Sequence, residues 1–243
     1  MVLDGALTGR PGGADGAIEV TVARSDPGAP RRFHVERFRP MLVLDLLVAI
    51  QQRHDPSLGF RYSCRIAACG TCAVRVDGVP VLACQSIVSD DQRAVTIEPL
   101  GGLPVVRDLV VDMTPFHERW ARVGPAFVPA SDVAGQAPLA SSATERRAID
   151  PNLDCITCGA CYAACDMASS GVAFLGPAAL NRAMTLVADS RDGDRLERLA
   201  MVSGDDGIDG CHGIGACTEV CPKGLDPSGS IRRLRRMRLG LPA

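Results

Sequence analysis

The chain has no long hydrophobic run, few aromatic residues and almost no net charge. Its longest apolar stretch, Met41 to Ile50, is short and carries Asp45, whereas a membrane-spanning helix needs about 20 apolar residues. A formal net charge of −2 gives no argument for nucleic acid as a partner. The N-terminal residues lack the basic-then-apolar form of a signal peptide. These absences predict an intracellular polypeptide with no membrane span of its own.

Glycine, proline and cysteine, by contrast, are plentiful. The 25 glycines and 17 prolines indicate many turns and tight loops. With 243 residues and 47 % apolar content, the chain can still build a sizeable core in one or two domains. Aromatic residues make up only 4 % of it. The eleven cysteines offer the clearest chemical signal.

Seven of these cysteines form two similar runs near the C-terminus. Aligned with each other, both runs follow the C-x2-C-x2-C-x3-C pattern of two-cluster bacterial ferredoxins, in which the fourth cysteine of a run ligates the other cluster. In the second run, Ile214 stands where the second cysteine of the pattern belongs. The first run is Cys155, Cys158, Cys161 and Cys165, and the second is Cys211, Cys217 and Cys221.

This missing cysteine predicts two unlike clusters. Because the last cysteine of each run ligates the other cluster, one ligand set has four thiolates, enough for a [4Fe–4S] cluster, and the other set has three. Because Ile214 cannot bind iron, the second set predicts a [3Fe–4S] cluster, or one whose labile fourth iron has a non-protein ligand. The predicted [4Fe–4S] ligands are Cys155, Cys158, Cys161 and Cys221, and the predicted [3Fe–4S] ligands are Cys165, Cys211 and Cys217.

Two simpler explanations of the cysteines are weaker. Eleven is an odd number, and tight C-x2-C spacings have poor disulfide geometry. Structural zinc also uses C-x2-C pairs, but it needs two pairs per site and explains neither the three-cysteine runs nor Cys221-Pro222. Free cysteines in such number also favour a reducing compartment.

Another cysteine pattern lies in the first half of the chain. Cys64, Cys69 and Cys72 have the C-x4-C-x2-C spacing of plant-type [2Fe–2S] proteins. Cys84, the fourth predicted ligand, follows a predicted hairpin, after a shorter gap than in plant ferredoxins. The wrapped loop is expected to point backbone N–H groups at the sulfurs, with Gly70 at the closest approach.

Alternation and turn residues predict the elements around this loop. Residues 18–22 alternate between apolar and polar, a turn follows at 25–30, and the alternation returns around Phe33. Apolar residues at helical spacing over 43–50 predict an amphipathic helix, and 94–97 is expected to close the sheet. A hairpin followed by a helix is the start of a β-grasp ferredoxin-like domain.

The rest of the chain is predicted to be mainly helical. Residues 105–120 are predicted to form one helix, 176–177 to open another and 196–202 to form a third. The sequence therefore predicts an α+β protein. Its predicted parts are a disordered leader over 1–16, an N-terminal β-grasp [2Fe–2S] ferredoxin-like domain over 17–122, an irregular crossing segment over 123–147, and an all-α bacterial-ferredoxin-like domain over 148–243.

Together these motifs resemble the iron–sulfur subunit of succinate dehydrogenase and fumarate reductase. The resemblance covers nearly everything from residue 18 to 238. Seven matches in the family's order are highly specific. They are residues 63–73, 82–84, 104–113, 155–165, 176–179, 189–192 and 217–227.

The resemblance implies an electron-transfer role. In this family the three clusters carry electrons between FAD in a flavoprotein subunit and quinone beside membrane anchor subunits. The N-terminal domain is then expected to face the flavoprotein, and the C-terminal domain the membrane. The chain is expected to lie on the cytoplasmic face of the cell membrane or the matrix face of an inner membrane. No residue of this chain is expected to act as an acid or base on the dicarboxylate.

The resemblance also suggests residues at the quinone end. His212 matches a histidine near quinone in many succinate dehydrogenases, and Arg235 falls where the family often has a lysine. Asp166 stands where the family usually has a proline after the fourth cysteine of the run. Residues 167–171 lack the tryptophans that line the quinone pocket in many succinate dehydrogenases. A carboxylate beside a cluster cysteine is expected to lower the cluster potential.

Three functional hypotheses follow. The first is the electron-transfer subunit of a membrane-bound succinate:quinone oxidoreductase, whose direction the sequence does not settle. His212 favours succinate oxidation, while residues 161–165 and 176–179 resemble fumarate reductase. A free-standing electron carrier is the second reading, although the proline-rich segment and the basic run over 232–238 favour a permanent complex. An iron–sulfur sensor is the third, and no output domain is visible in the sequence.

Overall fold

A computed structural model describes residues 16–25, 29–37, 40–130, 138–140 and 142–241. Three sequence predictions fall partly or wholly outside this range. They are the leader over 1–16, of which only Gly16 is described, the centre of the turn at 25–30, and part of the crossing segment over 123–147.

The first half of the chain is built on a five-stranded sheet, in the order β2-β1-β5-β3-β4. Strands β1 and β5 pair in parallel, and the other neighbours are antiparallel. The predicted strand at 94–97 is therefore confirmed, but it lies in the middle of the sheet. The strands are β1 Ala17–Val22, β2 Arg31–Glu36, β3 Ala73–Val76, β4 Val79–Leu82 and β5 Ala94–Glu98.

Helix α1, Val43–Arg53, covers one face of this sheet, as its apolar spacing predicts. Its residues 43, 46, 47 and 50 are all buried together with the inward side chains of β1. The Asp45 carboxylate accepts a hydrogen bond from the backbone N–H of Leu42, 2.9 Å away, and so satisfies one donor at the start of the helix.

The prediction of one helix over 105–120 is wrong for its first part. Strands β6 Val105–Arg107 and β7 Val110–Val111 form a small hairpin, and only α2 Thr114–Ala121 is helical. The turn residue Asp108 has φ +51°, and its buried carboxylate accepts hydrogen bonds from the N–H groups of Ser25 and Gly59, both at 2.8 Å. These distant contacts, with the strand preference of paired valines, outweigh the helical spacing.

The second half consists of helices joined by loops. Helix α6 is its centre, since nearly all its residues are buried and α3, α7 and α9 contact it. Helix α3 begins at Thr144, inside the segment predicted as irregular. The helices are α3 Thr144–Leu153, α4 Ala160–Ala163, α5 Asp166–Ser169, α6 Pro177–Ala188, α7 Arg195–Met201, α8 Ala216–Glu219 and α9 Pro227–Arg238, with a short 3-10 helix at Ile208–Gly210.

The two halves share a core where the chain passes between them. Leu100, Leu103 and Val111, which follow the sheet, are buried among the helices of the second half. The described start of the crossing segment lies along the helical half, where the buried Arg198 donates to the carbonyls of 123, 124 and 126. Among the described helices, none has both the length and the apolar character needed to cross a bilayer.

Candidate iron–sulfur centres

The loop over 64–72 and the end of the β3–β4 hairpin bring four cysteines together. We call this site the four-cysteine loop, and its cysteines are Cys64, Cys69, Cys72 and Cys84. Cys64 Sγ accepts hydrogen bonds from the backbone N–H groups of Ile66, Ala68 and Cys69, at 3.5, 3.3 and 3.3 Å. Cys84 Sγ accepts one from Ala67 N–H at 3.3 Å. This is the predicted wrapping of backbone donors around sulfur.

The thiols of this loop differ in their acidity. The Thr71 side chain, followed by backbone hydrogen bonds, lowers the pKa of Cys69 to about 6. Burial, with the charge of neighbouring Cys84 and Cys69 adding to it, raises the pKa of Cys72 to about 12. The mutual influence of these sulfurs shows that Cys72 lies beside both Cys69 and Cys84.

A first cavity in the helical half is lined by four cysteines from both runs. Cys221, the last residue of the second run, lies with the first three of the first run, and Asn181 of α6 lines the same wall. We call this the four-cysteine cavity. Its cysteines are Cys155, Cys158, Cys161 and Cys221.

A second cavity holds the remaining three cysteines, as the crossed pattern predicts. Ile214 lies in its wall, where the fourth cysteine would be, and is 70 % exposed. His212 and Asp166 also line it. We call this the three-cysteine cavity. Its cysteines are Cys165, Cys211 and Cys217.

The backbone repeats itself in the two runs, which explains the crossing. Cys158 is flanked by Thr157 at φ +49° and Gly159 at φ +81°, and Ile214 by Gly213 at φ +77° and Gly215 at φ +90°. A one-turn helix, α4 or α8, follows each pair and ends just before the last cysteine of the run. Ile214 therefore occupies the backbone position of Cys158.

Burial dominates the acidity of the thiols in these cavities. It raises the pKa of Cys158 and of Cys217 to about 11, and that of Cys161 well above its ordinary value. The charges of Cys158, Cys155 and Cys217 add to the effect at Cys161. Buried thiolates of this kind need nearby positive charge, which a metal centre provides.

The donor chemistry fits iron–sulfur clusters better than the two simpler explanations. All eleven cysteines are free rather than disulfide-bonded. Within the described residues, no three His, Cys, Asp or Glu side chains converge on the position of a single ion. A zinc ion needs all its sulfur ligands at about 2.3 Å, whereas a cluster spreads its ligands over several iron atoms.

The cysteine loop of the first half touches the first cysteine run directly. A Cβ atom placed on Gly70 would lie 2.9 Å from Cys158 Cα, closer than atoms can pack. Gly70 also has φ +71°, which favours glycine. The sequence predicts Gly70 at a close approach within its own loop, and the structure adds a contact with the other half.

The two residues suggested for the quinone end lie in different surroundings. His212 is exposed in the wall of the three-cysteine cavity. Arg235 is not among the residues lining that cavity, and its guanidinium donates to the carbonyl oxygens of Ile208 and Cys211, at 2.9 and 2.6 Å. Sequence reasoning missed this link between α9 and the Cys211 loop, because no local pattern signals it.

A mixed sheet with a four-cysteine loop, followed by helices around two further cysteine cavities, defines an iron–sulfur protein of the ferredoxin type. A family model described as "2Fe-2S iron-sulfur cluster binding domain" matches residues 19–118. Another, described as "4Fe-4S dicluster domain", matches residues 152–225. The chain thus carries [2Fe–2S] and [4Fe–4S] cluster-binding domains in the predicted order.

Curated relatives identify the family. The mitochondrial succinate dehydrogenase (ubiquinone) iron–sulfur subunit 2 of Oryza sativa is 40 % identical over 237 residues, covering 92 % of this chain and 76 % of that protein. The fumarate reductase iron–sulfur subunit of Escherichia coli strain CFT073 is 38 % identical over 191 residues, 79 % of this chain and 78 % of that one. The chain belongs to the family of succinate dehydrogenase and fumarate reductase iron–sulfur subunits.

A solved structure agrees with this assignment. A chain of the Mycobacterium smegmatis Sdh1 complex superposes with a TM-score of 0.83 at 25 % identity, covering 92 % of this chain and 96 % of that one. The succinate dehydrogenase iron–sulfur subunit of Paracoccus denitrificans is 35 % identical over 236 residues, 94 % of this chain and 90 % of that one. The relatives therefore include subunits of both enzyme names.

Proposed function

We propose that this chain is the electron-transfer subunit of a membrane-bound succinate:quinone oxidoreductase and relays electrons between FAD in a flavoprotein subunit and quinone. The main support is the order of the three cysteine groups in space. The four-cysteine loop contacts the four-cysteine cavity at Gly70. The charge of Cys217 in the three-cysteine cavity contributes to the raised pKa of Cys161 in the four-cysteine cavity. Three neighbouring sites in series suit a relay.

The proposed ligand sets are those of the sequence analysis. The four-cysteine loop, with Cys64, Cys69, Cys72 and Cys84, fits [2Fe–2S], the four-cysteine cavity fits [4Fe–4S], and the three-cysteine cavity fits [3Fe–4S]. When bound, these clusters supply one-electron redox centres. The chain itself supplies the thiolates and the backbone donors around Cys64.

We also propose a β-grasp domain over 17–122 and an all-α ferredoxin-like domain over 148–243, joined by a crossing segment. The exposed loop around Cys69 is the proposed entrance from the flavoprotein, since Cys69 and Ile66 are both open to solvent. The three-cysteine cavity is the proposed exit towards quinone. Membrane anchor subunits would hold this end on the cytoplasmic or matrix face of the membrane.

The proposed direction is succinate oxidation, with fumarate reduction as the alternative. His212 in the cavity wall supports the first, and the fumarate-reductase-like residues 161–165 and 176–179 support the second. For the quinone end, we propose that His212 faces the quinone. Arg235 is proposed to hold the Cys211 loop in place beside it, through its two carbonyl contacts.

The cluster assignment is tested at Ile214. Replacing Ile214 by Cys places a thiol on the backbone position that Cys158 has in the first run, so the three-iron centre is expected to convert to [4Fe–4S]. The measurement is the oxidised-state EPR signal of the purified complex, which is expected to disappear. Ile214→Val is the matched control, because it adds no thiol at this exposed position. A signal that survives in Ile214→Cys would contradict the alignment of the two runs.

The complex itself is tested by purification. A tag on this chain is expected to recover a flavoprotein in equal amounts, whereas a free-standing carrier would elute alone. Redox-poised EPR of the recovered complex then counts the centres and orders their potentials. Reduction potentials that rise from the flavin towards the quinone favour succinate oxidation, and the reverse order favours fumarate reduction.

The quinone proposal is tested at His212. His212→Ala is expected to slow quinone turnover several-fold while sparing dye-linked succinate oxidation. Equal loss of both activities would reject the quinone role, because it would indicate a damaged centre. The EPR signals of the variant serve as the control for intact clusters.

A further inference from the structure

The helical half contains a buried polar group that the electron relay does not use. Asn152 of α3, Asn181 of α6 and Ser230 of α9 meet there, with 7 %, 1 % and 2 % of their surfaces exposed. Ser230 Oγ donates to Asn181 Oδ1 at 2.9 Å and lies 3.4 Å from Asn152 Oδ1. These are the only two asparagines in the sequence.

The amide nitrogens of the two asparagines differ. Asn152 Nδ2 donates to the carbonyl oxygen of Ala148 at 3.4 Å. Asn181 Nδ2 is fully buried, and no atom of the described residues accepts a hydrogen bond from it. Buried donors are nearly always paired, so an unpaired one points to an acceptor that belongs at this place.

The position of Asn181 indicates what that acceptor is. Asn181 lines the four-cysteine cavity, beside Cys155, Cys158, Cys161 and Cys221. Its carbonyl oxygen is already engaged by Ser230, which leaves the N–H₂ group for the cavity side. Sulfur atoms in a low-dielectric cavity are acceptors that such a donor stabilises most when they carry the greatest negative charge.

We propose that Asn181 Nδ2–H donates a hydrogen bond to a sulfur of the centre held in the four-cysteine cavity and thereby raises its reduction potential. The proposal rests on the ligand set given above. Hydrogen bonds to sulfur are one of the factors that set the potentials of iron–sulfur clusters. The added electron increases the negative charge on sulfur, so the donor favours the reduced state. Asn181 is then a positioning residue rather than a ligand.

The first test measures the potential in the purified complex. In Asn181→Leu, the ratio of reduced to oxidised four-iron centre at a fixed applied potential is expected to fall about tenfold. This corresponds to a reduction potential lower by about 59 mV for one electron. Asn152→Leu is the matched control, since it removes an amide from the same buried group but not from the cavity wall. Its ratio is expected to stay within about twofold of the unmodified complex. Equal shifts in both variants would overturn the hydrogen bond.

The second test identifies the donor by isotope labelling. Since the chain has only two asparagines, asparagine labelled with ¹⁵N in its amide group marks both candidate donors. Pulsed EPR of the reduced four-iron centre is expected to show a ¹⁵N coupling in the unmodified chain and in Asn152→Leu, and none in Asn181→Leu. A normal four-iron signal without this coupling overturns the hydrogen bond alone, whereas absence of a four-iron signal in the unmodified chain overturns the ligand set as well.

Discussion

The sulfurs of Cys64 and Cys69 in the first half and those of the helical cavities in the second half lie in different surroundings. In the first half, a surface loop turns its own N–H groups onto Cys64, and a hydroxyl and backbone donors make Cys69 acidic. In the second half, the sulfurs lie between helices, and burial makes Cys158 and Cys217 weak acids. The first arrangement depends on local backbone geometry, and the second depends on how distant helices pack.

Backbone donors reach sulfurs in both halves. In the loop, peptide N–H groups donate to Cys64 and Cys84, and the Thr71 side chain acts on Cys69. In the helical cavities, the N–H of Leu225 donates to Cys221 at 3.4 Å, and backbone hydrogen bonds also reach Cys155, Cys158 and Cys165. The proposed Asn181 hydrogen bond would add a side-chain donor to the backbone donors of the buried centre.

The two halves are nevertheless braced in the same way, by a buried arginine paired with aspartate. In the first half Arg24 lies 2.9 Å from Asp55 and 3.2 Å from Asp108. In the second half Arg198 lies 3.0 Å from Asp192, which is fully buried. The first pair holds the Asp108 turn against β1 and the Asp55 loop, and the second holds the described start of the crossing segment against the helical half. Four substitutions test this comparison of the two halves.

The largest effect is expected at Asp108. Asp108→Ala leaves Arg24 buried with one partner fewer and removes the acceptor for two backbone N–H groups, which is expected to cost about 3–5 kcal/mol of unfolding free energy. Denaturant unfolding followed by EPR should show the [2Fe–2S] signal lost first. Asp108→Asn keeps one acceptor oxygen and is expected to lose clearly less. Simultaneous loss of all signals would mean that the halves unfold as one unit.

The matching change in the second half is Arg198→Met. It leaves Asp192 buried without its cation and three carbonyls of the crossing segment without a donor, at an expected cost of about 3 kcal/mol. The control is Arg122→Met, which breaks an exposed pair with Asp206 and is expected to cost at most about 1 kcal/mol. Similar midpoints for the two variants in denaturant would show that the buried pair does not brace this half.

A smaller and pH-dependent effect is expected at Asp55. The Ser57 side chain first, with Arg31 and Arg24 adding to it, lowers the pKa of Asp55 from 3.8 to about 2. Because this folded-state pKa lies below the unfolded value, the stabilisation is complete above about pH 4 and is lost as the pH falls towards about 2. Asp55→Asn is expected to cost about 2 kcal/mol. The difference in unfolding midpoint should stay constant from about pH 8 to about pH 5 and shrink below about pH 4.

The last effect, which acts directly on the contact between the halves, is expected at Gly70. Gly70→Ala adds about 1–2 kcal/mol of backbone strain and pushes Cys158 away. Electron passage between the loop and the four-cysteine cavity is expected to slow, as measured by freeze-quench EPR. Gly78→Ala is the control, since Gly78 has φ +85° but nothing within 4 Å of an added Cβ. Equal transfer rates in both variants would show that the contact does not carry the electron.

Local patterns in the sequence predicted the elements whose cause is local. The alternation in β1, the spacing in α1, the Asp77-Gly78 turn between β3 and β4, and the proline that opens α6 all appear in the structure. The cysteine runs likewise predicted which sulfurs share a cavity, because the repeated turns around Cys158 and Ile214 fix where each cysteine points.

The features that the sequence did not reveal depend on residues far apart in the chain. The turn at Asp108 is held by Ser25 and Gly59, 83 and 49 residues away, and these contacts replace a predicted helix by a hairpin. The unpaired amide of Asn181 is visible only once α3, α6 and α9 are packed. No window along the sequence contains both partners of such contacts.

The repeated turn geometry around Ile214 has an evolutionary consequence. A backbone that already presents residue 214 as it presents Cys158, with an exposed side chain and no tight neighbour beside its flanking glycines, leaves the chain one amino-acid replacement from a second run with all four cysteines. Gain or loss of a thiol at this position would therefore need no rebuilding of the loop.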